Sequence, residues 1–382
     1  MSGRIAAGAS CSGASLLIGA ERLVTGAGHD APGWLCITNG AISDSGSGTA
    51  PGPIDDSVET IVPGFVDSHV HGAVGVDFAT LGADPTTAID FHARAGSTSL
   101  VASVATGEWA GTLDRLRELG PLVAAGRIAG LHLEGPYLSR DHRGAHDPTL
   151  LREPDATEIA AVIDAAGGAL VMVTIAPELP GALNAITQFV GAGVTVAIRH
   201  TNASAEVVRR AVDVGASVVT HLFNGMPPLH HRRPGPVGVA LADESLVLEL
   251  IGDGHHLSDL AVDLVRQAAS GRYVLVSDAM AATGLGDGRY ELAGSHVVVA
   301  DGVAMLADAS SLAGSTTPVA GALARLLDRG VLLPELVGAT STRPALALGL
   351  PDPSLVVGGK ADLVALTGSR VARVMKAGSW LA

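Results

Sequence analysis

From residue 61 onward, two kinds of segment alternate along the chain. Short apolar runs rich in β-branched residues, typical of buried strands, are separated by stretches with apolar residues at i, i+3 and i+4, several of which end at glycine. This alternation predicts repeated strand–helix units and a parallel sheet. The candidate strands are residues 61–72, 97–106, 128–135, 170–178, 194–200, 217–226, 246–254 and 272–280.

Eight such units predict an α/β fold in which the strands close into a (β/α)8 or TIM-type barrel. An open doubly wound sheet is the alternative. Residues 286–305 predict a hairpin inserted after the last barrel strand.

The two ends of the chain have a different pattern from the barrel region. Residues 14–60 show short alternating strands with turn signals, and the same character returns at 361–381. Because chain ends often lie close together, we expect both ends to form one small β-sandwich domain. The predicted division is a β domain from residues 1–60 and 355–382 beside a catalytic barrel from 61–354.

Net charge, hydrophobicity and cysteine content argue against several classes of protein. The formal charge is −14, from 38 acidic and 24 basic residues, which argues against a broad nucleic-acid or anionic-membrane surface. No run of 18 apolar residues predicts a membrane span, and the glycine- and serine-broken first 20 residues do not resemble a signal peptide. Two cysteines are too few for a disulfide framework or a zinc–cysteine cluster. We therefore expect a cytoplasmic protein.

His69 and His71 are the first candidate chemical groups, at the end of the first predicted strand. Alternate strand residues point to the same side, so both imidazoles could bind one metal ion. A lone His-x-His pair is equally compatible with a structural role. Its position at a strand end favours the metal interpretation.

Further polar residues fall at the carboxyl ends of other predicted strands, where catalytic groups converge in a barrel. Imidazole and carboxylate ligands suit zinc or another borderline divalent ion. Three of these residues could hold a main ion, and His69 and His71 could add a second, so the metal count stays open. The strand-end residues are Glu134, His200, His221, His256 and Asp278.

The lysines exclude one kind of metal bridge. Lys360 and Lys376 are the only lysines, and both lie beyond the predicted barrel, so a carboxylated lysine cannot bridge two ions. Glu134 becomes the candidate bridge. Asp278 could take a proton from a metal-bound water and pass it to a leaving amine, or it could simply cap the following helix.

Motifs spread over nearly the whole chain together resemble the amidohydrolase superfamily, and most closely its N-acetylglucosamine-6-phosphate deacetylases. The resemblance implies hydrolysis of N-acetyl-D-glucosamine 6-phosphate to D-glucosamine 6-phosphate and acetate. The alternatives are N-acetylgalactosamine-6-phosphate deacetylation, another barrel amidohydrolase such as a nucleobase deaminase, or a non-catalytic metal-stabilised scaffold. The motifs are VPGFVDSHVHG, GLHLEGPYLS, RGAHDP, RHTNAS, THLFNGMPPLHHRRPG, GDGHH, VSDAMAATG, SLAGST and GGKADLVAL.

The resemblance also implies residue roles and partners. Glu134, His200 and His221 match the ligands of the main metal, and Asp278 matches the proton carrier. His69 and His71 match members that hold a second metal. The ion is expected to be Zn²⁺, with Fe²⁺, Co²⁺ or Mn²⁺ as alternatives, and the assembly is expected to be a homodimer.

Substrate contacts follow from the same resemblance. Arg232 provides a fixed guanidinium fork suited to the phosphate, although Arg233 beside it is an alternative. The remaining matches are Ala145, His146, Asn224, Gly225, His256, Leu312, Ala313 and Gly314.

Overall fold

The computed structural model describes residues 15–382, so the predicted β-domain residues before Ser15 lie outside the described part. The described chain begins with an antiparallel meander whose first strand also pairs in parallel with the fourth. These strands are β1 (Leu16–Val24), β2 (Asp30–Thr38), β3 (Ala41–Ser47) and β4 (Asp56–Pro63).

The predicted strand 61–72 is divided between two sheets. Its first residues belong to β4, and the barrel begins only at β5 (Val66–Val70). Gly64 lies at the junction, where an added Cβ would come 2.0 Å from Thr98 Oγ1, so only glycine allows this close approach. A short hairpin follows, formed by β6 (Gly72–Ala73) and β7 (Val76–Asp77).

The next seven strands complete the ring. Each pairs in parallel with its neighbour in chain order, and β5 pairs with the first of the seven. They are β8 (Ser99–Ala105), β9 (Gly130–Glu134), β10 (Leu170–Ile175), β11 (Thr195–Ile198), β12 (Val218–Val219), β13 (Val247–Ile251) and β14 (Tyr273–Val276).

Backbone hydrogen bonds join the first and last strands of the ring just beyond their carboxyl ends. The Asp278 amide donates to the His69 carbonyl at 2.9 Å, and the His71 amide donates to the Ala279 carbonyl at 2.8 Å. The (β/α)8 prediction is therefore confirmed, and the open-sheet alternative was wrong.

Helices cover the outside of the ring. Six of the first seven follow the predicted amphipathic stretches, whereas α6, with the sequence GPVGVALA, has no polar face and was missed. The seven are α1 (Thr86–Arg94), α2 (Trp109–Ala124), α3 (Ala156–Ala166), α4 (Ala182–Gly191), α5 (Ala205–Asp213), α6 (Gly235–Ala242) and α7 (Asp259–Ala268).

A three-stranded antiparallel sheet, which we call the flap, follows β14. It confirms the hairpin predicted at 286–305 and adds one strand to it. Its strands are β15 (Gly288–Leu292), β16 (Ser295–Ala300) and β17 (Val303–Leu306). The chain ends with α8 (Val319–Asp328), α9 (Leu333–Val337), α10 (Arg343–Ala347), β18 (Leu363–Thr367), β19 (Arg370–Lys376) and β20 (Ser379–Trp380).

Both chain ends meet in one sheet, as the sequence predicted. Strand β18 pairs antiparallel with β4, which gives seven strands in the order β20-β19-β18-β4-β1-β2-β3. This sheet has an apolar cluster of its own that includes Ile18, Leu35, Ile61, Leu363 and Met375. The division at residues 60 and 355 stays a prediction. Between residues 15 and 382, no helix is long and apolar enough to cross a membrane.

Candidate metal centre

Two groups of buried side chains lie at the carboxyl ends of the barrel strands. One contains Glu134, His200 and His221, and the other contains His69, His71 and Asp278. Within each group, the donor atoms all lie within 4.8 Å of one another. The fold thus brings together, in two clusters, the six residues that the sequence singled out as metal ligands and proton carrier.

Glu134 lies between the two groups. Its Oε2 is 3.1 Å from His71 Nε2, whereas its Oε1 is 3.8 Å from His200 Nε2 and 3.9 Å from His221 Nε2. Oε2 therefore faces the group of His71, whereas Oε1 lies between the two groups, because it is also 3.5 Å from His69 Nε2. One residue at the end of β9 can serve both, which is the arrangement expected of a bridge.

Hydrogen bonds fix the tautomers of two of the histidines. His200 Nδ1 lies 2.6 Å from the His142 carbonyl oxygen, and His69 Nδ1 lies 3.2 Å from Glu249 Oε2. Because a carbonyl or carboxylate oxygen accepts, each Nδ1 carries the proton and donates. Each Nε2 therefore presents a lone pair, and His69 Nε2 lies 3.4 Å from Asp278 Oδ1.

Three of the six residues adopt an unusual backbone conformation. The φ angles are 47° at His200, 26° at His221 and 48° at Asp278, in the left-handed region that residues other than glycine rarely occupy. Each follows the end of a barrel strand by two residues. Strain of this kind concentrates at functional sites, where the surrounding fold holds it in place.

Several ring nitrogens in the two groups are buried without a hydrogen bond. Among residues 15–382, these include His200 Nε2, His71 Nδ1 and both nitrogens of His221. A buried polar atom without a partner costs about 1–3 kcal/mol, so ring nitrogens of this kind need an explanation. Imidazole nitrogens with carboxylate oxygens are a donor set that zinc prefers, so these residues fit a divalent metal ion.

The protonation states suit metal binding. Burial lowers the pKa of His200 well below its ordinary value, which keeps the ring neutral and able to act as a ligand. Burial raises the pKa of Asp278, but interactions with the side chains of His69, His71 and Arg199 outweigh burial and lower the pKa. Asp278 is therefore an ionised carboxylate, the form that accepts a proton.

Arg199, which the sequence reasoning did not single out, also enters the site. It directly follows β11, is 9% exposed, and forms an ion pair with Glu134 Oε1. Burial lowers the pKa of Arg199 to about 9, while Asp278 and Glu249 act in the opposite direction. The sequence did contain one indication of this role: Arg199 is a charged residue at the end of an apolar predicted strand, directly before the candidate metal ligand His200.

A cavity opens onto the two groups. His71, Glu134, His200 and Asp278 line its polar side. Of the predicted substrate contacts, it is lined by Ala145, His146, Leu312, Ala313 and Gly314. The flap contributes Leu292 and Ala293, which the sequence reasoning missed.

The amidohydrolase family pattern matches residues 60–381. The chain belongs to the amidohydrolase family. A solved structure of an N-acetyl-D-glucosamine-6-phosphate deacetylase variant from Mycobacterium smegmatis, in complex with N-acetyl-D-glucosamine 6-phosphate, is 41% identical with a TM-score of 0.94. The match covers 96% of this chain and 99% of that one.

Two curated relatives of this amidohydrolase have names that specify different sugar phosphates. The N-acetylgalactosamine-6-phosphate deacetylase of Escherichia coli O157:H7 is 37% identical over 91% of this chain and 94% of its own length. The N-acetylglucosamine-6-phosphate deacetylase of Bacillus subtilis is 33% identical over 87% and 88%.

His146 lies where it can orient a ligand of the amidohydrolase. Its Nδ1 is 2.8 Å from Thr106 Oγ1, and its Nε2 is 3.5 Å from Glu134 Oε2. Burial lowers the pKa of His146 to about 3, so the ring is neutral. A neutral ring next to the carboxylate can hydrogen-bond a carbonyl without adding charge.

Two predicted substrate contacts, Asn224 and Gly225, lie beside His221 and His200 of the amidohydrolase and do not line the cavity. Asn224 Nδ2 donates to the His221 carbonyl at 3.3 Å and so holds the loop that carries this histidine. Gly225 has φ of 62°, and an added Cβ would come 2.7 Å from His200 Nδ1. Their role as substrate contacts stays a prediction.

The last two predicted substrate contacts, His256 and Arg232, also do not line the cavity. His256 Nδ1 pairs with Asp253 Oδ2 at 2.7 Å. Arg232 is exposed, and its Nη1 lies 2.8 Å from His231 Nε2. Together with Arg233 it lines a separate cavity. Within its own chain, the guanidinium predicted to bind phosphate therefore does not line the amidohydrolase cavity.

Proposed function

We propose that this amidohydrolase hydrolyses the acetamide of N-acetyl-D-glucosamine 6-phosphate to D-glucosamine 6-phosphate and acetate. The observation that carries the proposal is the pair of buried donor groups around Glu134, which open onto a cavity. The 41% identical structure in complex with this sugar phosphate supports the choice of substrate.

Glu134, His200 and His221 would hold the main divalent metal, and His69 and His71 would hold a second. The donor set of two histidines and one carboxylate suits zinc, and Fe²⁺, Co²⁺ and Mn²⁺ are the alternatives. When bound, such an ion polarises the acetyl carbonyl and lowers the pKa of water at the site.

Asp278 carries the proton in the proposed reaction. The ionised carboxylate accepts a proton from the attacking water as oxygen bonds to the acetyl carbon. As the carbon–nitrogen bond breaks, Asp278 donates that proton to the departing amine. The amino sugar therefore leaves together with acetic acid, which loses the second proton of the water to the solvent and becomes acetate. Its Oδ1 lies 3.2 Å from His71 Nε2, which holds it at the reacting centre.

His146 and the apolar wall position the acetyl group. His146 hydrogen-bonds the acetyl oxygen and steadies it as negative charge develops. Leu292, Leu312 and Ala313 form an apolar wall next to the polar groups, suited to the acetyl methyl. The flap that carries Leu292 also excludes water from this side.

The phosphate contact requires a second chain in this proposal. Because Arg232 does not line the cavity of its own chain, we propose a homodimer in which Arg232 of one protomer reaches the other's substrate. Arg233 is the adjacent alternative. A substrate that carries a phosphate does not cross membranes unaided, which supports a cytoplasmic location.

An acetate-release assay on metal-stripped and zinc-reloaded protein tests the function. We expect acetate from N-acetylglucosamine 6-phosphate only after reloading, and much less from unphosphorylated N-acetylglucosamine. Asp278→Asn should keep its metal and lose at least a thousandfold in kcat, because proton transfer in both directions is lost. A reloaded, folded enzyme without acetate release, or an active Asp278→Asn variant, would contradict the proposal.

N-acetylgalactosamine-6-phosphate deacetylation is the second candidate. The 37% identical Escherichia coli relative with that name favours it. The two sugars differ only in the configuration at C4, so the ratio of their kcat/KM values distinguishes the candidates. A ratio above ten in favour of the gluco substrate supports the main proposal.

A further inference from the structure

Arg199 brings a cation into the group that would hold the main metal. Its guanidinium pairs with Glu134 Oε1, and this oxygen also faces His200 Nε2 and His221 Nε2. Both of those nitrogens are buried and have no hydrogen-bond partner in the described part of the chain. The guanidinium therefore contacts the same carboxylate oxygen on which this donor group converges.

A buried guanidinium is costly unless it is paired, and a buried carboxylate is equally costly without a cation. In the metal-free protein, Arg199 supplies that cation to Glu134. Glu134 is 2% exposed, so water does little to screen the pair. The ion pair thus holds the carboxylate in place.

A divalent ion at Glu134 would face two costs in the presence of Arg199. It would have to take over an oxygen that the guanidinium already contacts. It would also bring two positive charges next to a third in a poorly screened interior, where like charges repel strongly. Both costs lower the affinity of the group for metal.

We propose that Arg199 is an internal competitor for the main metal: it stabilises the metal-free centre and weakens metal binding there. The inference rests on the proposed role of Glu134, His200 and His221 as ligands. It assigns to Arg199, which also lines the cavity, a role in positioning Glu134 and in setting the affinity for metal.

Zinc titration of the chelator-stripped full-length protein, by competition with a chromophoric chelator, tests the proposal. Arg199→Met removes the charge and keeps an unbranched side chain. It should bind the first Zn²⁺ at least tenfold more tightly than the wild type. The matched control is Arg152→Met, which breaks an arginine–glutamate pair with Glu158 away from the cavity and should leave zinc affinity unchanged.

Thermal unfolding of the same samples separates competition from a structural role. Without metal, Arg199→Met should melt below the wild type because Glu134 has lost its cation. With saturating zinc, the difference should vanish or reverse. An arginine needed only for folding would lower the melting temperature equally in both states, and that result would overturn the proposal.

The remaining outcomes are also decisive. Equal or weaker zinc binding by Arg199→Met would overturn the competition while the metal centre itself stands. Absence of zinc binding in both proteins would overturn the proposed metal centre instead. If Arg199→Met does not fold, Arg199→Gln repeats the test, since its amide is neutral and can still donate to Glu134.

Discussion

Glu249 shows how much a single residue outside the predicted site contributes to it. It lies in the middle of β13, is 1% exposed, and reaches across the barrel to β5. There it accepts hydrogen bonds from Ser68 Oγ at 2.9 Å and His69 Nδ1 at 3.2 Å. A carboxylate behind an imidazole fixes the ring and raises its basicity as a ligand.

The sequence contained one indication of this role, because Glu249 is the only charged residue in the apolar segment VLELI. The pattern alone does not give the strand register, so Glu249 could not be matched with His69. Glu134, His200, His221 and Asp278 were easier to predict because each lies at or just beyond a strand end. Arg199 was missed because arginines near strand ends are common and mostly exposed.

Replacing Glu249 with Gln should lower the affinity for the second ion, which we propose that His69 and His71 hold, by about tenfold or more. The amide keeps the shape but loses the charge that orients and polarises His69. Zinc titration with counting of bound ions measures this. The exposed Glu244→Gln is the control, and an unchanged affinity for both ions in Glu249→Gln would contradict this role.

At the scale of secondary-structure elements, the sequence predicted the order of the barrel strands and helices well, but it predicted the residues at which they begin and end less well. The predicted strand 217–226 contains only the two-residue β12, because the chain then turns at His221 and Phe223, with φ of 26° and 78°. After β12, the rest of this predicted strand is a loop, most of which is buried. Helix α6 was missed because it is apolar throughout, so no amphipathic period marks it.

The loop after β13 carries an internal ion pair with a predictable pH dependence. Burial raises the pKa of Asp253, but the hydrogen bond and charge of His256 and two backbone amides outweigh it, and the pKa falls from 3.8 to about 2. A lowered pKa in the folded state stabilises the fold above the unfolded value, and this stabilisation is lost as the pH falls toward 2. The contribution is about 2 kcal/mol.

Asp253→Asn should therefore lower the free energy of unfolding by about 2 kcal/mol at pH 6. The difference from the wild type should shrink as the pH falls from 4 toward 2. Urea denaturation across this pH range measures it, with the exposed Asp213→Asn as control. A difference that does not depend on pH would show that the pair is not the cause.

At the scale of the whole molecule, the sheet built from both chain ends connects distant parts of the sequence. Strand β18 lies between β4 and β19, and its Leu363 shares an apolar cluster with Ile61 and Met375. The sequence predicted that the ends would meet, because both carry the same alternating pattern. It did not give the strand order, which depends on pairing between residues far apart.

A chain that ends at Asp362 lacks β18, β19 and β20, so it should not fold to a soluble form. The truncation leaves β4 without its antiparallel partner and opens the apolar cluster to water. Soluble yield and the thermal unfolding transition measure the effect. A chain that ends at Ala377 loses only β20 and should stay folded, whereas equal behaviour of both truncations would contradict the central role of β18.

The hydrogen bonds that close the ring have a consequence for the protein during its synthesis. They run between the backbones of His69 and His71 on one side and Asp278 and Ala279 on the other. The last step of ring closure therefore also brings Asp278 to the two histidines. A growing chain on the ribosome therefore offers no complete group of His69, His71 and Asp278 until its final barrel strand has emerged.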